Sequence, residues 1–227
     1  MPNPNKFIAL EGIDGSGKRT QIDLLSRALS ARGVPHATIS FPHYDGFFGR
    51  LVARFLNGEF GRLPGVDPHL SALLFAGDRF ESRRQIEAHL AAGKMVIADR
   101  YVGSNLAHQT ARVPAPQRKA FLKWLRQLEY QVYGLPAEDL VILLRVPVEQ
   151  AHRMVSRKKA RTYTKRRRDL QEADIGHLRQ ASLVYDWLAR QPNWVRIDCT
   201  NARPLRLLPP EAIHLRIMDF LRSRKYL

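Results

Sequence analysis

Apolar and polar positions alternate along this chain in two rhythms. Short apolar runs stand at Phe7–Leu10, Ala37–Phe41, Met95–Ala98, Val141–Val146 and Val195–Ile197. Each has the length of a buried strand. Between them lie longer stretches with apolar residues at three- and four-residue spacing. Ile22, Leu25 and Leu29 mark a helix that runs to about Arg32, with Gly33 as its stop. Phe48, Leu51, Val52, Phe55 and Leu56 predict another within Gly46–Gly61. A proline-started helix is expected from Pro68 to about Ala91, with Leu70, Leu73, Leu74, Ala76 and Gly77 near its buried side. After Tyr101 the pattern predicts a polar turn and then a helix over Pro116–Tyr133. Further helices are expected around Val148 and Ala151, over Leu178–Arg190, and after Pro209-Pro210-Glu211. Strands alternating with helices in this way predict an α/β fold, a five-stranded parallel sheet with helices on both faces.

The first strand runs directly into Gly12-Ile13-Asp14-Gly15-Ser16-Gly17-Lys18-Arg19-Thr20. Strand, glycine-rich loop, lysine and helix stand in the order of a phosphate-binding P-loop. Gly12, Gly15 and Gly17 let backbone amides turn inward, and the helix start adds its positive end. Lys18 can reach the β- and γ-phosphates, and Thr20 can donate to a phosphate. Ser or Thr ordinarily follows the lysine and holds magnesium, yet Arg19 stands here, and a guanidinium cannot ligate a cation. Asp14 and Asp99 are the carboxylates left for a metal, with Asp99 ending a strand on the sheet's carboxyl edge.

Charge changes the picture further. The 227 residues carry 37 Lys plus Arg against 21 Asp plus Glu, a formal charge of +16. That excess attracts phosphate-rich partners. Its densest run is Arg157 to Arg168, which repels itself and is unsuited to a core. We expect one domain over 1–227 with a basic lid at about 154–170. A nucleic acid also fits the total charge, but a polyanionic small substrate fits its distribution better. Cys199 alone excludes an intrachain disulfide and suits a reducing cytoplasm. No stretch has the pattern of a signal peptide or the length of a membrane span.

Five blocks together resemble the thymidylate kinase family. They are Glu11 to Gln21, Phe41-Pro42-His43-Tyr44, Leu74-Phe75-Ala76-Gly77-Asp78-Arg79, Asp99-Arg100-Tyr101-Val102-Gly103-Ser104-Asn105 and the late basic lid. The resemblance spans roughly residues 6 to 190. It implies a doubly wound nucleoside monophosphate kinase fold, a homodimer, Mg2+, ATP as phosphate donor and dTMP as acceptor.

It also implies roles. Gly12, Gly15, Ser16, Gly17, Lys18, Arg19 and Thr20 would hold ATP, joined by lid arginines such as Arg157 and Arg161. Asp99 would organise the metal and the transferring phosphate, with Asp14 near the metal and the sugar 3'-hydroxyl. Arg100 would grip the dTMP phosphate. Phe75 would stack on thymine, while Arg79 and Asn105 would read its edge. Phe41, Tyr44 and Ser104 complete the acceptor site. Composition alone would put Phe75 in the core. For Arg79 the alternative is a surface ion pair, although no acid stands three or four residues beyond it.

The chain departs from the family pattern in places. His108 replaces an aromatic that crowds the sugar 2' position, so choice of deoxyribose over ribose is open. Gln171 replaces a lid-proximal tyrosine, His43 a frequent arginine, and Met154 another arginine. Arg157, Arg161 and Arg166 to Arg168 are therefore all candidates for the phosphate clamp. Two other readings compete. One is a kinase for another nucleoside monophosphate, the other a non-catalytic nucleotide-regulated binder of nucleic acid.

Overall fold

The computed structural model describes residues 6–155, 164, 169–201 and 206–227. Its strands are β1 (Phe7–Glu11), β2 (His36–Ser40), β3 (Met95–Asp99), β4 (Leu140–Arg145) and β5 (Trp194–Asp198). They form one parallel sheet in the order β2-β3-β1-β4-β5. β1 is buried throughout, whereas the edge strands β2 and β5 are mostly half-buried or exposed, with Ile197 of β5 buried. The winding changes side at β1, so the carboxyl ends of β1 and β3 open a crevice where ligands bind in such sheets. Register places Leu10 and Ser40 on either side of Asp99 there.

The larger helices are α1 (Lys18–Ser30), α2 (Phe47–Leu56), α3 (Pro68–Glu81), α4 (Arg83–Ala91) and α5 (Val102–Thr110). They are followed by α6 (Arg118–Arg126), α7 (Val148–Val155), the short α8 (Leu170–Ala173), α9 (Ile175–Leu188) and α10 (Pro210–Ser223). Helices flank the sheet. α1 packs on α10, and α5 packs on α3, α6 and α9. Ile22, Leu25 and Leu29 of α1 are buried, as their spacing predicts. Gly33 follows α1 with φ +66°, the conformation that suits a glycine stop.

Two expected helices and one expected turn differ. The one expected over Pro68–Ala91 is broken at Ser82, whose amide turns back to Arg79 O at 3.1 Å. Leu70, expected near the buried side, is exposed. The turn expected after Tyr101 is instead α5. Gly103, Ser104 and Asn105 are weak helix formers, and a tertiary contact overrides them. The Glu11 carboxylate accepts from the Tyr101 amide at 2.8 Å and the Ser104 amide at 2.9 Å. It thereby satisfies the first turn, which has no acid of its own. The helix expected over Pro116–Tyr133 is composite. A 3-10 turn (Ala115–Gln117) precedes α6, and a π-helical turn (Gln127–Val132) follows it.

The basic run expected to form the lid, with Arg157, Arg161 and Arg166 to Arg168, lies outside the described residues. Of that region α7 precedes it, and Thr164 and Asp169 are buried.

Candidate active site

The phosphate loop is Gly12–Gly17, between β1 and α1. Its glycines are imposed from two directions. Gly12 has φ +142°, and a Cβ there would stand 2.7 Å from Leu144 O. Gly15 has φ +85°, and its Cβ would stand 2.1 Å from Ala151 O on α7. A side chain at either position is therefore both strained and blocked. α1 starts at Gly17 with no side-chain cap and no acidic residue in its first turn, so its positive end is not neutralised locally. Lys18 is buried and donates to Gly12 O at 2.8 Å and Ile13 O at 3.2 Å. Ser16 Oγ is buried without a hydrogen-bond partner among the described residues. Thr20 is exposed, and Arg19 leans outward to Asp23 at 3.3 Å with its side chain 73% exposed.

A cleft opens beside the loop. Its walls bring together Asp14, Phe41, Tyr44, Phe75, Arg79, Arg100, Ser104, Asn105 and His108. These come from the phosphate loop, the segment after β2, α3, the turn after β3 and α5. Leu56, Gln109, Asp169 and Gln171 also line it. Phe75 is partly buried against Phe55, edge to face with ring centroids 6.1 Å apart. It is thus both packed and presented to the cleft. Asp99 lies at the strand edge rather than on the cleft wall.

Arg100 joins cleft and loop. Its Nη2 donates to Asp14 Oδ1 at 2.7 Å, and its Nη1 to Ser104 Oγ at 3.0 Å and Gly12 O at 3.3 Å. The residue holds φ +66°, an uncommon conformation for a non-glycine. Burial works against its charge. Asp14 foremost, then Tyr185, Glu11 and Asp99, outweigh that and raise its pKa above the ordinary arginine value.

Arg79 is in an ion pair, but not the surface one that stood as its alternative. It is buried, and its Nε and Nη2 both go to Glu129, fifty residues further on. Glu129 also accepts from Asn105 Nδ2 at 2.7 Å. His108 Nδ1 shares a hydrogen bond with His177 Nε2 at 3.2 Å. Burial, followed by Arg100 and His177, pushes the His108 pKa well down. Burial, followed by Arg112, takes His177 to about 4. The pair is neutral at neutral pH.

Sequence reasoning assigned no role to Glu11, Glu129, His177 or Asp78. Glu11 ties Tyr101, Ser104 and Tyr185 together. Asp78 accepts from the amide of His43 at 3.0 and 3.2 Å and so fixes the Phe41–Tyr44 segment to α3. An acid just before the glycine loop was the available signal for Glu11. Glu129 and His177 carried none, because their partners are distant in sequence.

A metal can be tested against the donors present. Among the described residues no three or more His, Cys, Asp or Glu converge. Asp14 and Asp99 both act electrostatically on Arg100 and both keep partial exposure. One or two carboxylates completed by water and phosphate oxygens is the usual donor set of Mg2+, so these residues fit it.

Comparison with known proteins agrees with this geometry. A family profile described as thymidylate kinase matches residues 10–203. The chain is 37% identical over 186 residues to thymidylate kinase of Mycobacterium tuberculosis, which covers 82% of this chain and 86% of that protein. It is 35% identical over 199 residues to a probable thymidylate kinase of Pyrobaculum calidifontis, covering 85% and 86%. The solved structure of thymidylate kinase from Candida albicans superposes with a TM-score of 0.74. It covers 97% of this chain and 92% of that one at 21% identity, a likeness of fold. By its profile match and its relatives, the chain belongs to the thymidylate kinase family.

Proposed function

We propose that the loop Gly12–Gly17 holds the ATP phosphates and that the adjoining cleft holds dTMP, with Arg100 between them. The reaction is ATP-dependent phosphorylation of dTMP to dTDP. The observation that carries the assignment of sites is the position of Arg100. One guanidinium touches the loop at Gly12, Asp14 and the cleft residue Ser104.

Phosphoryl transfer depends on positioning and charge compensation. An oxygen of the dTMP phosphate attacks the γ-phosphorus, and the bond to the β–γ bridging oxygen breaks to release ADP. The attacking oxygen is already ionised, so no side chain need remove a proton. Lys18 and the loop amides spread charge on the donor. Arg100 forks onto the acceptor phosphate. Phe41 and Tyr44 flank the acceptor, and Phe75 stacks on the base. Asp14 and Asp99 would hold Mg2+, which neutralises phosphate charge when bound. Arg157 and Arg161 would act from the lid. The chain would work as a homodimer, a reading supported by the exposure of the apolar side chains Leu70, Phe80 and Val132.

The test is coupled ADP release with ATP and Mg2+, comparing dTMP, dUMP, UMP, dCMP and no acceptor. Turnover that depends on dTMP supports the assignment. ATP binding without acceptor-dependent turnover rejects it. Appreciable turnover of UMP would identify His108, whose Nε2 has no partner among the described residues, as the group that admits a 2'-hydroxyl. Light scattering at working concentration checks the dimer.

A further inference from the structure

Glu129 is fully buried, and three hydrogen bonds converge on it. Arg79 Nε donates at 3.0 Å, Arg79 Nη2 donates to the other carboxylate oxygen, and Asn105 Nδ2 donates at 2.7 Å. The second Nδ2 hydrogen of Asn105 goes to Ala72 O at 3.1 Å. Both partners of this amide nitrogen, a carboxylate and a carbonyl, can only accept. The orientation of the Asn105 amide is therefore dictated by chemistry. Its NH2 must face Glu129 and Ala72, and its Oδ1 is left over. That Oδ1 is buried without a partner among the described residues, on a side chain that lines the cleft.

We infer that Glu129 is a positioning residue for base selection, which locks Asn105 with its carbonyl toward the acceptor and holds Arg79 beside it. The inference rests on the reading of the cleft as the dTMP site. Thymine carries a donor at N3 flanked by carbonyl acceptors. A locked Oδ1 accepts from N3–H, and Arg79 keeps Nη1, which Glu129 does not engage, for a carbonyl oxygen. Cytosine carries an acceptor at N3 and an amino donor at the neighbouring position. To serve cytosine the Asn105 amide would have to turn over, which would set its Oδ1 against the Glu129 carboxylate. Two acceptors at that distance in a buried site repel. The negative charge of Glu129 thus closes the cytosine option without touching the base.

Local structure supports a placed rather than incidental acid. Glu129 sits in the π-helical turn Gln127–Val132, where the Tyr133 amide donates to Leu128 O, five residues back, at 2.9 Å. Such turns are rare and concentrate at functional sites. Burial opposes the Arg79 charge, but Glu129 offsets this by charge and by hydrogen bonding and raises the arginine pKa. Both donors remain fixed across the working pH range.

The test is Glu129→Gln, assayed with dTMP and dCMP alongside wild type, with a urea midpoint for each protein. A glutamine can donate to a turned Asn105 Oδ1, so the lock is released. The dTMP-to-dCMP ratio of kcat/KM is expected to fall by about ten-fold or more, through a higher dTMP KM, while the ATP KM stays unchanged. If Glu129 merely neutralised Arg79, the variant would lose stability and active fraction for both acceptors alike. An unchanged ratio in the folded variant overturns the proposal. If Glu129→Gln does not fold, Glu129→Asp keeps the buried charge and is expected to lower the ratio to a smaller extent. An unchanged ratio there also overturns the proposal. A wild type without dTMP-dependent turnover would overturn the reading of the cleft, and this inference with it.

Discussion

The glycine loop and the cleft proposed to hold the acceptor share Arg100 but are built differently. The loop is one uninterrupted stretch whose proposed binding groups are backbone amides, a lysine and a helix end. Its shape is enforced by steric exclusion at Gly12 and Gly15. The cleft gathers side chains from separate elements, and a buried polar layer behind them sets their orientation. Glu11 seats Tyr101 and Ser104, Asp78 seats His43, and Glu129 seats Arg79 and Asn105. On the proposed reading, a loop made of backbone would bind what all nucleoside triphosphates share. A cleft made of oriented side chains would discriminate among acceptors, and that discrimination would be vulnerable to residues that touch no ligand.

The largest expected effect lies on the loop side. Replacing Lys18 with Ala should lower kcat by about 10²–10³-fold, the usual loss for one preorganised charge-stabilising donor. The dTMP KM should change little. Steady-state kinetics with both substrates varied checks this, and unchanged turnover would break the assignment of the loop. Arg100 should give the complementary pattern. Arg100→Ala is expected to raise the dTMP KM about 10-fold or more and the ATP KM far less. The reverse pattern would place Arg100 with the donor and dissolve the division between the two regions.

The same division explains what could be read from the chain. The loop was legible because its constraints are local. Glycine spacing, one lysine and the preceding apolar strand specify it without tertiary information. The sheet was legible for a related reason, since the central strands are buried apolar runs bounded by helices. α5 was hidden because its helix depends on Glu11, about ninety residues earlier, and not on its own propensities. The buried pair of Arg79 and Glu129 was hidden likewise. Neighbouring carboxylates could be checked at helical spacing, but a partner fifty residues away on a π-helical turn leaves no pattern. Phe75 presented a third case. Its apolar character suits both packing on Phe55 and a place in the cleft wall, and the structure shows both.

A smaller effect tests the buried layer through stability. Burial raises the Asp78 pKa from 3.8 to about 6, against the hydrogen bonds from His43. Between those values the folded state binds more protons than the unfolded chain. The contribution of Asp78 to stability is therefore fully present below about 3.8 and lost as pH rises through about 6. Asp78→Asn removes this titration. Thermal melts of both proteins from pH 4 to 7.5 (roughly the span over which this group titrates) should show wild type losing ground to the variant as pH rises. Wild type gaining ground over that range would mean that the His43 amide overcomes burial, and that the layer behind the cleft favours charge.

The smallest effect is expected at Arg19, where the loop departs from the usual P-loop pattern. Its side chain is 73% exposed and pairs with Asp23 on the helix surface. An exposed ion pair of this kind contributes ~0–1 kcal/mol, so Arg19→Thr should leave folding nearly unchanged and kcat within about two-fold. The informative readout is the Mg2+ concentration for half-maximal rate. A threonine after Lys18 restores the hydroxyl that the arginine lacks, and a hydroxyl oxygen is a hard donor suited to Mg2+. The half-maximal concentration should fall. If it does not move, Asp14 and Asp99 suffice for the metal, and position 19 is free to carry a surface charge. The loop would then owe its function to backbone, Lys18 and carboxylates alone, and its contrast with the side-chain-built cleft would be sharper.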